Sequence, residues 1–135
     1  MSKPLVDDAI IVDDDKEVIE VLKMYCENLG CFRYIITAKD GIEASMKLSN
    51  QKFALILLDI NMPKKTGVDI LKELDKNSNN SVDSIVIVSD ELNKNVISTA
   101  MSKGVKNYLV KPFDEDAFQT KIRQVLAKVR PGLLP

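Results

Sequence analysis

The sequence predicts a single α/β domain, doubly wound around a five-stranded parallel sheet. Three observations lead there. Five short apolar runs recur along the chain, each run is followed by a stretch whose apolar residues fall at helical spacing, and the 135 residues suit one core. A chain of that length buries roughly two-thirds of the surface its unfolded form exposes. No repeat or low-complexity tract suggests another organisation.

The first run is AIIV at 9–12. Behind it Val18, Val21, Leu22, Tyr25 and Leu29 share one helical face, and Gly30 stands where that helix would stop. FRYIITA at 32–38 is the second strand, and Ala44 and Leu48, four apart, mark a short second helix. FALILLD at 53–59 is the third strand, followed by the stripe Ile70, Leu71 and Leu74. KNSNNSVDS at 76–84 is polar and rich in turn formers, so it reads as a loop. SIVIVS at 84–89 is the fourth strand, with Val96, Ile97, Ala100 and Met101 on the helix after it. NYLV at 107–110 is the fifth. Asp114 suits the N-cap of the last helix, whose face is Phe118, Ile122, Val125, Leu126 and Val129 until Pro131 prevents continuation. Residues 1–130 read as one domain and 131–135 as a C-terminal tail or truncated linker.

Charge and composition exclude several classes. Lys and Arg number 19 against 20 Asp and Glu, a formal net charge of -1, so no direct binding of nucleic acid or of a membrane is expected. Cys26 and Cys31 have neither CxxC spacing nor a second pair, and read as reduced thiols of a cytosolic protein. MSKPLVDD lacks an apolar signal segment, and no window approaches the ~20 apolar residues of a membrane span. The expected location is the cytoplasm.

In a doubly wound sheet, ligands gather outside the carboxyl ends of the strands. The residues there are Asp13, Asp14 and Asp15, then Asp59, then Ser89 and Asp90, then Lys111 and Pro112. A crevice holding Asp13, Asp14 and Asp59 crowds its carboxylates. At ~4 Å and an effective dielectric of ~20, each like-charge pair costs about 4 kcal/mol. Positive charge must sit among them: Lys111 supplies one, and a divalent ion the rest. Oxygen ligands with room for water and a phosphate suit Mg²⁺, with Mn²⁺ as the alternative. A blander reading gives the three N-terminal acids to helix capping. It leaves Asp59, an acid closing a strand of Leu and Ile, without an explanation.

AIIVDDD, the LLDINMP segment with its following TG around Asp59, the hydroxyl of Ser89 and YLVKPF at 108–113 occur in one order along nearly the whole chain. In this they resemble the receiver domain of two-component response regulators. The resemblance implies a flavodoxin-like three-layer sandwich with strand order 2-1-3-4-5. It implies that Asp59 is the phosphoacceptor, taking a phosphoryl group from a phosphohistidine of a histidine kinase or histidine phosphotransfer protein; the chain itself has no histidine. Mg²⁺ would be held by Asp13, Asp14, Asp59 and the backbone carbonyl of Asn61. Lys111 would pair with Asp59 at rest and with a phosphoryl oxygen afterwards, before a cis Lys111–Pro112 bond. Ser89 would donate its hydroxyl to the phosphoryl group, and Tyr108 would turn inward. The fourth helix, fifth strand and fifth helix would then present a changed face to a downstream protein or output domain. Pro63 and Gly67 would shape the loop after Asp59, with Met62 as packing. Such a domain assists its own phosphorylation and dephosphorylation without being a turnover enzyme, and is expected as a monomer or weak homodimer.

One position departs from the family pattern. The residue after the switch hydroxyl is usually small, and here it is Asp90, which predicts slower phosphorylation and dephosphorylation. Asn61 and Glu91, two positions beyond Asp59 and Ser89, match instead the pair found in chemotaxis receivers whose phosphorylated state is short-lived. The alternative function is a receiver-like interaction module that works without phosphorylation. An aspartate-nucleophile phosphatase would want an acid where Asn61 stands, and a flavodoxin a phosphate loop where DDDKE stands.

Overall fold

The computed structural model describes residues 7–60, 62, 65–77, 80–90 and 94–134. Strands and helices alternate as β1 Ala9–Val12, α1 Lys16–Leu29, β2 Ile35–Ala38, α2 Gly41–Asn50, β3 Leu55–Asp59, α3 Gly67–Asn77, β4 Ile85–Asp90, α4 Lys94–Ser102, β5 Asn107–Lys111 and α5 Glu115–Val129. The sheet is parallel throughout, in the order β2-β1-β3-β4-β5. Both the α/β class and the strand order agree with expectation.

The two-residue period of the strands builds two cores. Ala9, Ile11, Leu55, Leu57, Val86, Val88 and Leu109 pack with Leu22, Cys26, Phe118 and Ile122 on the side of α1 and α5. Ile10, Val12, Ile56, Leu58, Ile85 and Ile87 pack with Leu48, Ile70, Leu71 and Ala100 on the side of α2, α3 and α4. β1, β3 and nearly all of β4 are buried on both faces, which puts charged residues at their ends rather than within them.

Caps set the helix limits. Asp15 accepts from the Glu17 N–H at 2.9 Å to open α1, and Gly30 closes it at φ 70°, where a Cβ would be strained. Asp114 opens α5 as expected, accepting from the Ala117 N–H at 2.8 Å.

Several limits differ from the sequence reading. β2 starts at Ile35 rather than at 32; ahead of it the Arg33 N–H donates to Asp7 O at 2.9 Å and the Arg33 side chain bonds Asp8. β4 runs one residue further, to Asp90. On α1 the inner stripe is Leu22, Cys26 and Leu29, and Val21 stands 42% exposed at its edge. Met101, expected on the inner stripe of α4, is exposed. The 76–84 stretch is less loose than its composition suggests: α3 continues to Asn77, a 3₁₀ turn covers Val82–Ser84, and Asn80 is buried. The Asn80 amide donates to Leu48 O at 2.8 Å and Gln51 O at 2.9 Å, and its Oδ1 accepts from the Phe53 N–H at 2.7 Å. At the C-terminus a second 3₁₀ turn, Pro131–Leu133, brings Leu133 and Leu134 against the α1/α5 core. Cys26 and Cys31 are both free thiols, and burial pushes both upward in pKa. Among the described residues, no helix is long and apolar enough to cross a membrane.

Candidate functional site

Parallel strands all end at one edge, and the acids that follow their apolar runs meet there. Asp13, immediately after β1, is 1% exposed; Asp59, the last residue of β3, is 5% exposed; Asp14 is exposed. Carboxylate oxygens of the three lie within 4.8 Å of one another. Of the three acids after β1, helix capping belongs to Asp15 alone. Asp13 instead accepts from the Asp15 N–H at 2.9 Å and from the Lys111 ammonium at 3.2 Å.

That ion pair modifies one expectation. The sequence reading pairs Lys111 with Asp59, whereas the ammonium is bonded to Asp13, and Asp59 attracts it through space. Asp13 is buried, so its carboxylate gains from a compensating charge. Burial nevertheless raises the Asp13 carboxyl above its ordinary pKa, against the opposing pull of the Asp15 N–H and Lys111, and Asp14 adds to the rise. Burial alone would lower Lys111, but the charges of Asp13, Asp59 and Asp90 and the bond to Asp13 carry it above its ordinary value. The two rises differ in cause: burial outweighs the donors of Asp13, whereas the carboxylates around Lys111 outweigh its burial. Among the described residues the crevice sets three carboxylates beside one ammonium, and such oxygen donors fit a hard divalent cation such as Mg²⁺.

The loop behind Asp59 is held by close backbone contact. The Gly67 N–H donates to Ile60 O at 3.1 Å, and a Cβ on Gly67 would lie 2.8 Å from Asp59 O. Thr66 and Asp69 cap α3 reciprocally, each backbone N–H donating to the other's side chain at 3.1 and 3.2 Å. A Cβ on Gly41, at the start of α2, would lie 2.2 Å from Lys65 O, so α2 sits directly against this loop. Glu73 of α3 accepts from Ser45 of α2 at 2.7 Å and pairs with Lys65. Gly41 escaped the sequence reading; its only signal is a glycine directly behind the capping Asp40. Met62 is buried in the core, as expected.

Ser89 is buried next to the end of β4, and Asp90 beyond it is exposed. In the β4–β5 register Ser89 stands opposite Val110, and Asp90 opposite Lys111. The Lys111–Pro112 bond is cis. Tyr108 is exposed and lines a groove of about 500 Å³ between α4 and β5 with Lys94, Ile97, Ser98, Met101 and Val110. Asn61, Pro63 and Glu91, to which the sequence reading gives metal, loop and rate-tuning roles, lie outside the described residues.

A parallel sheet of this order with an acidic crevice at its carboxyl edge defines the class, and comparison supplies the family. The sequence profile of the response regulator receiver domain matches residues 9–123, and the chain belongs to that family of two-component signalling domains. The chemotaxis protein CheY1 of Helicobacter pylori strain 26695 is 31% identical over 118 residues, which are 87% of this chain and 94% of that protein. The transcriptional regulatory protein CpxR of Escherichia coli K12 is 34% identical over 119 residues, 88% of this chain but 49% of that longer protein. Among solved structures, a CheX–CheY–BeF₃–Mg²⁺ complex from Borrelia burgdorferi contains a chain that is 27% identical with a TM-score of 0.77, the match covering 92% of each chain. The Vibrio cholerae chemotaxis protein CheY4 is 25% identical with a TM-score of 0.74, covering 90% of this chain and 99% of that one.

Proposed function

We propose that the protein accepts a phosphoryl group on Asp59 from a phosphohistidine of a histidine kinase or histidine phosphotransfer protein. The observation that carries this reading is the meeting of Asp13, Asp14 and Asp59 with Lys111 at the carboxyl edge of the sheet. A carboxylate oxygen of Asp59 attacks the phosphorus, the phosphorus–nitrogen bond breaks, and the bonding electron pair leaves with the imidazole. An aspartyl phosphate results. Asp13, Asp14 and Asp59, with the backbone carbonyl of Asn61, would hold Mg²⁺. When bound, the cation supplies charge neutralisation at the phosphoryl oxygens. Lys111 exchanges a carboxylate for a phosphoryl oxygen, and Ser89 donates its hydroxyl to another.

The phosphorylated side chain then biases a two-state face. Tyr108, exposed beside the α4–β5 groove, has room to turn inward as Ser89 moves. The face of α4, β5 and α5 is where a downstream protein or output domain reads the change. On this reading the domain works in the cytoplasm as a monomer or weak homodimer. It assists chemistry on itself rather than turning over an external substrate.

The test is incubation with Mg²⁺ and a small phosphodonor, followed by intact mass. One phosphoryl adduct is expected on the wild type, none without Mg²⁺, and none on Asp59→Asn. Absence of an adduct on the wild type under forcing conditions would favour the phosphorylation-independent interaction module.

A further inference from the structure

The strand period places Asp90 in a specific relation to the crevice. Leu57 and Val88 face the α1/α5 core, so Asp59 and Asp90, each two residues further along, emerge on that same side of the sheet. Leu109 does likewise, and Lys111 follows it by two. Asp13 stands two residues beyond Ile11 on that side. Four charged side chains on neighbouring strands therefore share one face of the carboxyl edge. Asp90 and Lys111 are direct register partners, on strands about 4.8 Å apart.

We propose that Asp90 is a positioning residue for Lys111, a second carboxylate to which the ammonium moves when Asp13 takes up a cation. The two carboxylates differ in solvation. Asp13 is buried and needs a compensating charge within the chain, so it holds the ammonium when no cation is present. Asp90 is exposed and already hydrated, so it holds the ammonium less firmly. A divalent cation on Asp13, Asp14 and Asp59 removes the need that keeps Lys111 there and repels its charge. Asp90, its cross-strand neighbour, is then the acceptor at hand.

This arrangement has two consequences of opposite sign, and the second rests on the phosphoacceptor reading. Asp90 favours cation binding, because the displaced ammonium keeps a carboxylate partner. It disfavours the phosphorylated state, because it competes with phosphoryl oxygens for the same ammonium.

The experiment is a double-mutant cycle on the full chain with Asp90→Asn, Lys111→Met and the pair, read by calorimetric titration of Mg²⁺ and, at saturating Mg²⁺, of beryllofluoride as a phosphoryl mimic. Asp90→Asn is expected to weaken Mg²⁺ about two- to fivefold, the range of an exposed ion pair, and to tighten beryllofluoride. In the Lys111→Met background the Mg²⁺ effect of Asp90→Asn should shrink to less than half. An unchanged Mg²⁺ affinity, an equal weakening with and without Lys111, or a parallel weakening of both ligands would each overturn the proposal. If beryllofluoride binds to no variant while the Mg²⁺ cycle shows coupling, the phosphoacceptor reading fails and the shared ammonium stands.

Discussion

Asp8 and Asp13 bracket β1, are each 1% exposed, and meet opposite surroundings. At the amino edge, Asp8 accepts from Arg33 Nε at 3.0 Å and Nη2 at 2.9 Å, from Gln51 Nε2 at 2.8 Å and from the Tyr34 N–H at 3.2 Å. The Arg33 bonds hold its carboxyl below the ordinary range, more than offsetting burial, and Gln51 and Tyr34 add to the effect. At the carboxyl edge Asp13 has one backbone donor and a share of one ammonium, and burial lifts its pKa instead. The same residue type, equally hidden from solvent, is saturated with donors at one end and, more strongly desolvated, under-compensated at the other. A saturated carboxylate holds the fold; an under-compensated one has an appetite for cations, which is the mark of a working site.

Substitutions can break that contrast, and the largest loss of stability is expected at the saturated end. Asp8→Ala should cost about 2–3 kcal/mol in urea unfolding, because the Tyr34 N–H and the Gln51 amide lose a buried acceptor, while Mg²⁺ affinity stays unchanged. The pH dependence sharpens this. Asp8 has a folded pKa below its ordinary 3.8, so its stabilisation is present above that pH and lost as pH falls through the folded value. The stability gap between wild type and Asp8→Ala should therefore close as pH drops below about 4.

Gly41→Ala should cost less, about 1–3 kcal/mol from overpacking against Lys65 O. It should also weaken Mg²⁺, because the displaced loop follows Asp59. The smallest stability effect is expected at the under-compensated end. Asp13→Asn should leave stability in cation-free buffer unchanged or raised by up to ~1 kcal/mol, because a raised folded pKa makes the charged carboxyl a net cost at neutral pH and Lys111 keeps the attraction of Asp59 and Asp90, while Mg²⁺ affinity falls at least about tenfold, or ~1.4 kcal/mol. A stability loss as large as that of Asp8→Ala would erase the distinction between the two ends.

Much of the carboxyl edge was legible in the sequence. Asp13, Asp59, Ser89 and Lys111 each follow an apolar run, and in a parallel sheet every run ends at the same edge, so local pattern and chain direction suffice to bring them together. The amino edge was harder. Asp7 and Asp8 precede the first run as the three acids follow it, yet nothing local says that Arg33 and Gln51 will close on Asp8. Asn80 lay in a segment whose composition signals a loop, and its side-chain bonds to Phe53, Gln51 and Leu48 reach back across 27 to 32 residues. Val21 and Cys26 exchanged roles because both fit a broad helical stripe, and the sheet beneath selects which one turns inward.

The sequence by itself determined the alternation of strands and helices, the caps at Gly30 and Asp114, and the set of charged residues that share the site. These depend on periodicity and near neighbours. Only the tertiary structure decided which carboxylate Lys111 bonds, 98 residues away at Asp13, how closely Gly41 approaches Lys65, and that Asp90 stands opposite Lys111 in the sheet register. Those outcomes depend on relative burial and on the register of strands far apart in the chain, where electrostatic balance is set by distances that no local pattern contains.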